Sequence, residues 1–199
     1  MVNNCAAIVL AAGDSTRLGQ PKQLVRIGRE SLLRRTTRLA LKVGCSPTFV
    51  VLGANAEMLS VELTDLGCSP IVNENWPSGI ASSIKAGVQA ALETSPLPEC
   101  ILILVCDQPG LGLPILRNLL STHSSQRKIA TASRYRETVG VPAVFDREVF
   151  AELLQLSGDQ GARRILLRHL DQVAAVDFPD GDFDIDTPED LAQLGLRRS

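Results

Sequence analysis

Histidine is nearly absent from this chain: His123 and His169 are the only two. A metal centre built on several imidazoles is therefore excluded. The five cysteines (Cys5, Cys45, Cys68, Cys100 and Cys106) are odd in number and contain no CxxC pair. Neither a zinc site nor a disulfide framework is expected, and reduced thiols in a cytosol follow. There is no basic excess: 20 Lys and Arg face 22 Asp and Glu, a net charge of −2, so the footprint of a nucleic-acid partner is missing. No apolar run reaches the roughly 20 residues that cross a bilayer. The opening Met1-Val2-Asn3-Asn4 lacks a basic n-region, which argues against a signal peptide. Internal repeats, low-complexity tracts and linkers are also lacking. A cytoplasmic protein of one domain, 1–199, with no membrane partner is expected.

What is present is an ordinary globular balance, 45% apolar and 21% charged over 199 residues. Three short apolar runs, at 6–12, 49–52 and 101–105, are continuous rather than alternating, as in strands buried on both faces of a parallel sheet. Helical patterns lie between them: one follows Ser31 as N-cap, and another carries Ile80, Ile84, Val88 and Leu92 after Pro77-Ser78-Gly79. Later segments read as strands at 129–133, 141–145 and 174–178 and as helices at 149–156 and 162–170. Thr187-Pro188-Glu189-Asp190 is a helix start, with Thr as N-cap and Pro at N1. The alternation predicts a Rossmann-like three-layer α/β/α sandwich around a mostly parallel sheet.

Three segments could carry chemistry. The first strand runs into Leu10-Ala11-Ala12-Gly13-Asp14-Ser15-Thr16-Arg17-Leu18-Gly19-Gln20-Pro21-Lys22. A glycine-bearing loop at the carboxyl edge of a parallel sheet is where open α/β folds bind nucleotides. Gly13 and Gly19 allow backbone N–H groups to approach phosphate, and Arg17 and Lys22 supply a planar fork and a compact charge. It is neither a Walker A loop nor a GxGxxG fingerprint. By itself it reads equally well as a mobile turn with solvated cations. The third apolar run ends in Cys106-Asp107-Gln108-Pro109, which makes Asp107 a candidate Mg²⁺ ligand or, taken alone, a turn former before proline. Asp184 and Asp186 stand at alternate positions of an extended stretch and face one side. Either one could share a metal with Asp107, or both could be surface acids ahead of a helix. Trp76 reads as a packing residue, with a stacking platform as the alternative, Cys106 as a small buried hydrophobe, and Arg34-Arg35 as a solvated helix face.

In order, these residues resemble the MobA-like nucleotidyltransferases, and most closely the branch of molybdenum cofactor cytidylyltransferases. Leu10-Ala11-Ala12-Gly13-x-Ser15-x-Arg17-x-Gly19-x-Pro21-Lys22 is similar to the opening signature of that superfamily. Asn75-Trp76-x-x-Gly79-x-x-x-Ser83-x-x-x-Gly87 and Cys106-Asp107-Gln108-Pro109 are similar to the next two blocks. Gly140-x-Pro142, Gly158-Asp159-x-Gly161-Ala162-Arg163 and Asp184-x-Asp186-Thr187-Pro188 resemble the later ones.

The resemblance implies a nucleotide-binding half at about 1–110 and an acceptor-binding half at about 111–195. Leu10 to Gly13, Ser15, Arg17 and Lys22 would hold a triphosphate, and Gly79, Ser82 and Ser83 would lie beside base and ribose. Asp107 and Asp186 would hold Mg²⁺, with Asp107, Lys22 and Arg17 as the catalytic set. Gly140, Pro142, Gly158, Asp159, Gly161 and Arg163 would face the acceptor. Ala12, rather than a second glycine, implies CTP. The implied reaction is transfer of CMP from CTP to the terminal phosphate of molybdopterin with release of pyrophosphate, and a molybdoenzyme or its chaperone is the implied transient partner. Two departures stand out: Val141 occupies a position that is commonly polar in relatives, and Leu18 one where Met is frequent. A sugar phosphate or methylerythritol phosphate is the alternative acceptor. A non-catalytic carrier of molybdopterin or nucleotide is the alternative class.

Overall fold

The computed structural model describes residues 4–196, so the first three residues of the leader reading lie outside it. A seven-stranded sheet in the order β5-β4-β1-β6-β8-β7-β9 is built from β1 (Cys5–Ala11), β4 (Thr48–Leu52), β5 (Ser69–Val72), β6 (Cys100–Val105), β7 (Ala130–Tyr135), β8 (Thr138–Asp146) and β9 (Val173–Asp177). A two-stranded ribbon, β2 (Arg26–Ile27) with β3 (Glu30–Ser31), stands apart. The helices are α1 (Leu32–Lys42), α2 (Ala56–Ser60), α3 (Ile80–Leu92), α4 (Leu113–Gln126), α5 (Phe150–Gln155), α6 (Arg163–Arg168) and α7 (Pro188–Leu196). Strands β5, β4, β1 and β6 run parallel. β8 is antiparallel to β6 and β7, and β9 is parallel to β7.

The continuous apolar runs have the cause expected of them. Along β1, Ala6, Ile8 and Leu10 join one core layer with Ile84 and Val88 of α3 and Leu153 of α5. Cys5, Ala7, Val9 and Ala11 join the opposite layer with Leu33 and Leu39 of α1 and Leu116 and Leu119 of α4. With both faces covered, all seven residues of β1 are buried. The caps also form as read: Ser31 Oγ accepts from Arg34 N at 3.2 Å, and Thr187 Oγ1 accepts from Asp190 N at 3.3 Å while Asp190 Oδ2 accepts from Thr187 N at 2.8 Å, a reciprocal box.

Three elements have no sequence signal of comparable strength. β5 is short, half polar and contains Pro70; it survives as an edge strand, where one missing donor costs little. α4 has a weakly amphipathic pattern, and α2 is only five residues long. Arg34 and Arg35 are not merely solvated. Arg34 forks onto Asp65 with two bonds of 2.6 Å, and Arg35 donates to Leu111 O at 2.7 Å, so both tie α1 to neighbouring loops. Among the described residues no helix is long and apolar enough to cross a membrane.

A third, smaller apolar cluster bears directly on the site. Leu18, Leu32, Ile185 and Leu194 pack together, with Ile185 fully buried. Ile185 stands between Asp184 and Asp186, and Leu18 follows Arg17. The cluster therefore fastens the carboxylate-bearing segment against the cationic loop. The backbone bond from Ile185 N to Asp107 O, 3.0 Å, fixes the same segment to the end of β6.

Candidate functional site

The carboxyl ends of β1 and β6 lie side by side, so Ala12-Gly13 and Asp107 open onto one cleft of about 330 Å³. Leu10, Ala11, Ala12, Gly13, Lys22, Gly79, Ser83, Asp107 and Asp159 line it. Space above Gly13 is open, so a backbone approach there is unobstructed. The loop holds its shape through Gln23, which is buried. Its side-chain amide donates to Ala11 O at 3.0 Å and Gly13 O at 2.7 Å. Ser15 is in the left-handed region at φ 58°, and its hydroxyl accepts from Lys22 N at 3.0 Å.

Lys22 then reaches across the fold. Its Nζ lies 2.5 Å from Asp107 Oδ2 and 2.8 Å from Asp186 Oδ1, and Arg17 reaches Asp186 Oδ2 at 2.9 Å. The result is a chain of alternating charge: Arg17, Asp186, Lys22, Asp107. Burial alone would lower the pKa of the Lys22 ammonium, but the Asp107 charge and the hydrogen bonds to Asp107 and Asp186 outweigh it and hold the value raised. The Asp186 carboxyl stays below its usual range, because the bond to Lys22 overcomes the opposing effect of burial. The Asp184 carboxyl is pushed up to about 7 by desolvation and by the Asp107 charge, although part of its surface reaches solvent. Cys106 is buried, and its thiol is pushed up to about 12 by desolvation and by neighbouring Asp107, so it stays protonated and inert.

The residues present suit a divalent cation. Asp107 Oδ1 is buried and has no hydrogen-bond partner, an open acceptor in a place where an unmet one is costly. Among the described residues no group of three or more His, Cys, Asp or Glu converges on a metal position. A cation here would be held by one or two carboxylates and would complete its shell with phosphate and water, as Mg²⁺ commonly does.

The other sequence-singled residues fall at different distances from this centre. Ser82 is turned away from the cleft: its hydroxyl donates to Gly79 O at 2.9 Å and accepts from Asn73 Nδ2 at 2.8 Å, while Asn73 also bonds Ser83 Oγ at 3.1 Å. Gly79 has φ +104°, and a Cβ on it would meet Gly158 C and O at 2.3 Å. Only glycine fits, and Ala81 N donates to Gly158 O at 3.1 Å. The start of α3 is thereby joined to the Gly158-Asp159 loop. Gly140, Pro142, Gly161 and Arg163 lie off the cleft wall. The Tyr135 ring packs over Gly140 and leaves no room for a Cβ there, and Arg163 donates to Thr138 Oγ1 at 2.6 Å. The Tyr135 hydroxyl is raised by burial and by the Asp184 charge.

Sequence reading missed Gln23, Asn73 and Tyr135. Trp76 packs as read, so close over Gly53 that a Cβ there would not fit, and it also lines the cleft with Pro77 and Ile80. Gln23 and Asn73 carry no local signal, because their work is to bond carbonyls and hydroxyls brought near only by folding. The single Trp and single Tyr of an aromatic-poor chain were the available clue.

Comparison with known proteins agrees with this geometry. A family model described as the MobA-like NTP transferase domain matches residues 7–173. Nicotine blue oxidoreductase of Paenarthrobacter nicotinovorans is 32% identical over 94% of each chain. A probable molybdenum cofactor guanylyltransferase of Nostoc sp. is 28% identical over 97% of this chain and 91% of that one. Among solved structures, Rv0371c from Mycobacterium tuberculosis superposes with a TM-score of 0.82 at 28% identity, covering 98% of both chains. Its complex with manganese gives 0.78 at the same identity, covering 96% of this chain and 98% of that one. With a seven-stranded, mostly parallel sheet, a glycine loop at its carboxyl edge and a family match spanning most of its length, the chain belongs to the MobA-like NTP transferases and is a nucleotidyltransferase.

Proposed function

We propose that the protein transfers CMP from CTP to the terminal phosphate of molybdopterin and releases pyrophosphate. The observation that carries the reaction is the charge chain Arg17, Asp186, Lys22, Asp107 beside the open Gly13 loop. An acceptor phosphate oxygen attacks the α-phosphorus; the bond from that phosphorus to the bridging oxygen of the β-phosphate breaks, and pyrophosphate leaves with the electron pair. The nucleophile comes with the acceptor, so the protein's task is positioning and charge neutralisation. Lys22 stabilises charge growing on the α-phosphate, and Arg17 holds the departing pyrophosphate. Backbone N–H groups of Ala12 to Ser15 hold the triphosphate. Asp107 and Asp186 would hold Mg²⁺, which would neutralise charge on phosphate oxygens; the manganese complex of Rv0371c supports a divalent requirement.

The nucleotide-binding half is assigned to about 1–110 and the acceptor half to about 111–195. The acceptor assignment draws on the Gly158-Asp159 backbone lying against Gly79 and on Asp159 lining the same cleft. Molybdopterin is favoured by relatives named molybdenum cofactor guanylyltransferase. Those names favour GTP; Ala12 favours CTP by its resemblance to the cytidylyl branch, and we adopt CTP.

The test is pyrophosphate release with Mg²⁺ and molybdenum-loaded molybdopterin, comparing CTP, GTP and ATP. Release with CTP, lost in Asp107→Ala, is the expected result. Release with GTP instead would overturn the base assignment alone. Silence with all three would overturn the acceptor, and sugar phosphates would be tested next.

A further inference from the structure

We propose that Lys22 occupies the divalent-cation position of the free protein and leaves it only in exchange, so that cation and triphosphate enter together. The proposal rests on the reading above that Asp107 and Asp186 hold the cation. One ammonium touches an oxygen of each carboxylate, at 2.5 and 2.8 Å, and Arg17 holds the remaining oxygen of Asp186 at 2.9 Å. The Lys22 and Asp107 side chains are 19% and 15% exposed, so water screens this contact poorly.

The charges of the four groups cancel: two carboxylates, one ammonium, one guanidinium. A divalent cation entering alone would be forced against Lys22, like charge against like, in a partly desolvated place. A triphosphate entering alone would draw Lys22 and Arg17 away and strip Asp107, whose Oδ1 is already buried without a partner. Joint entry avoids both costs. Lys22 and Arg17 turn to phosphate oxygens, the carboxylates keep the cation, and every charge retains a partner throughout. The chain is built for such a swing. The Lys22 backbone is pinned by its bond to Ser15 Oγ at 3.0 Å, while the four-carbon stem beyond it can rotate.

The sign of the predicted effect is unusual for a catalytic lysine, because removing Lys22 should improve metal binding. Mn²⁺ binding to the full chain, read by electron paramagnetic resonance without nucleotide, should be weak in wild type. In Lys22→Met it should tighten by about ten- to a hundredfold, the range that loss of charge-assisted hydrogen bonds corresponds to. Lys22→Gln should do the same and serves if the Met variant misfolds. Lys42→Met makes the same charge change on an exposed residue of α1 and should leave Mn²⁺ affinity unchanged. Adding Asp107→Asn to Lys22→Met should abolish the gain. The proposal is overturned if neither Lys22 variant binds Mn²⁺ more tightly, or if Lys42→Met gains as much. Wild type mixed with Mn²⁺ and CTP separates the two levels: no protein-retained Mn²⁺ there would sink the metal–nucleotide reading itself. Retention there without a gain in the Lys22 variants would sink only the exchange.

Discussion

The two regions of this molecule contribute to the cleft in different ways. The parallel region, β5-β4-β1-β6, delivers its groups from strand ends: Ala12 and Gly13 follow β1, and Asp107 follows β6, which pairs beside it in register. The mixed region beyond β6 delivers groups from loops. Asp186 arrives 164 positions after Lys22, held by the burial of Ile185, and Gly158 arrives by packing on Gly79. A parallel sheet places function by topology, because consecutive strands end at one edge. The second region has to place it by side-chain packing, one contact at a time. Function in the first region is therefore sensitive to loop chemistry, and in the second to apolar core substitutions such as those at Ile185, which alter no charged group themselves.

The sharpest test of the first region is Lys22→Ala. Losing one preorganised charge donor should lower turnover by about 10²-fold or more, read as pyrophosphate release. Turnover near wild type would remove Lys22 from the mechanism.

The second region is tested by Ile185→Ala, which deletes a fully buried side chain and should cost about 2–4 kcal/mol in a denaturant melt. If packing is what presents Asp186, nucleotide affinity should fall in that variant and recover in Ile185→Val, which keeps most of the volume. Unchanged affinity in Ile185→Ala would mean that Asp186 is placed by its ion pairs and not by the core.

A milder effect should follow from Gln23→Leu, which keeps volume but leaves the Ala11 and Gly13 carbonyls without their donor. About 1–3 kcal/mol of stability should be lost, with a matching drop in triphosphate affinity measured by calorimetry. An equal drop in stability with affinity intact would make Gln23 a core residue only.

The smallest effect concerns pH. Asp184 has its folded pKa raised to about 7 from an ordinary carboxylate value. The native state therefore holds a proton that the unfolded state has released, and this contribution is present at low pH and lost as pH rises through 7. Relative to Asp184→Asn, wild type should lose thermal stability between about pH 4 and pH 7, modestly because the group is partly solvated. A difference in Tm that does not vary with pH would mean that the Asp184 carboxyl is not shifted by its desolvated, acidic surroundings.

The legibility of the chain follows the same division. β1, β4 and β6 could be read because burial on both faces leaves a continuous apolar run, and α3 because its apolar positions recur along one face. The loop from Gly13 to Lys22 was readable because glycine, arginine and lysine within ten residues act on a ligand from one backbone segment. β5 was not, because an edge strand is half exposed and its sequence carries little pattern. Tyr135 was not, because its place over Gly140 depends on the hairpin of β7 and β8. In sequence Leu18 stands out only as a departure from a frequent Met; in the fold it packs on Ile185 and so helps set where Asp186 stands.

By itself the sequence determined the sheet's buried strands, the caps of α1 and α7, and the chemistry of the first loop. Each of these depends on residues within a few positions of one another. Only the tertiary structure decided that Lys22 bridges Asp107 and Asp186, that Gln23 holds the loop, and that Gly79 meets Gly158. Coulomb attraction and close packing act over a few ångströms of space, whatever the separation along the chain, so partners 85 and 164 residues away leave no local trace in the sequence.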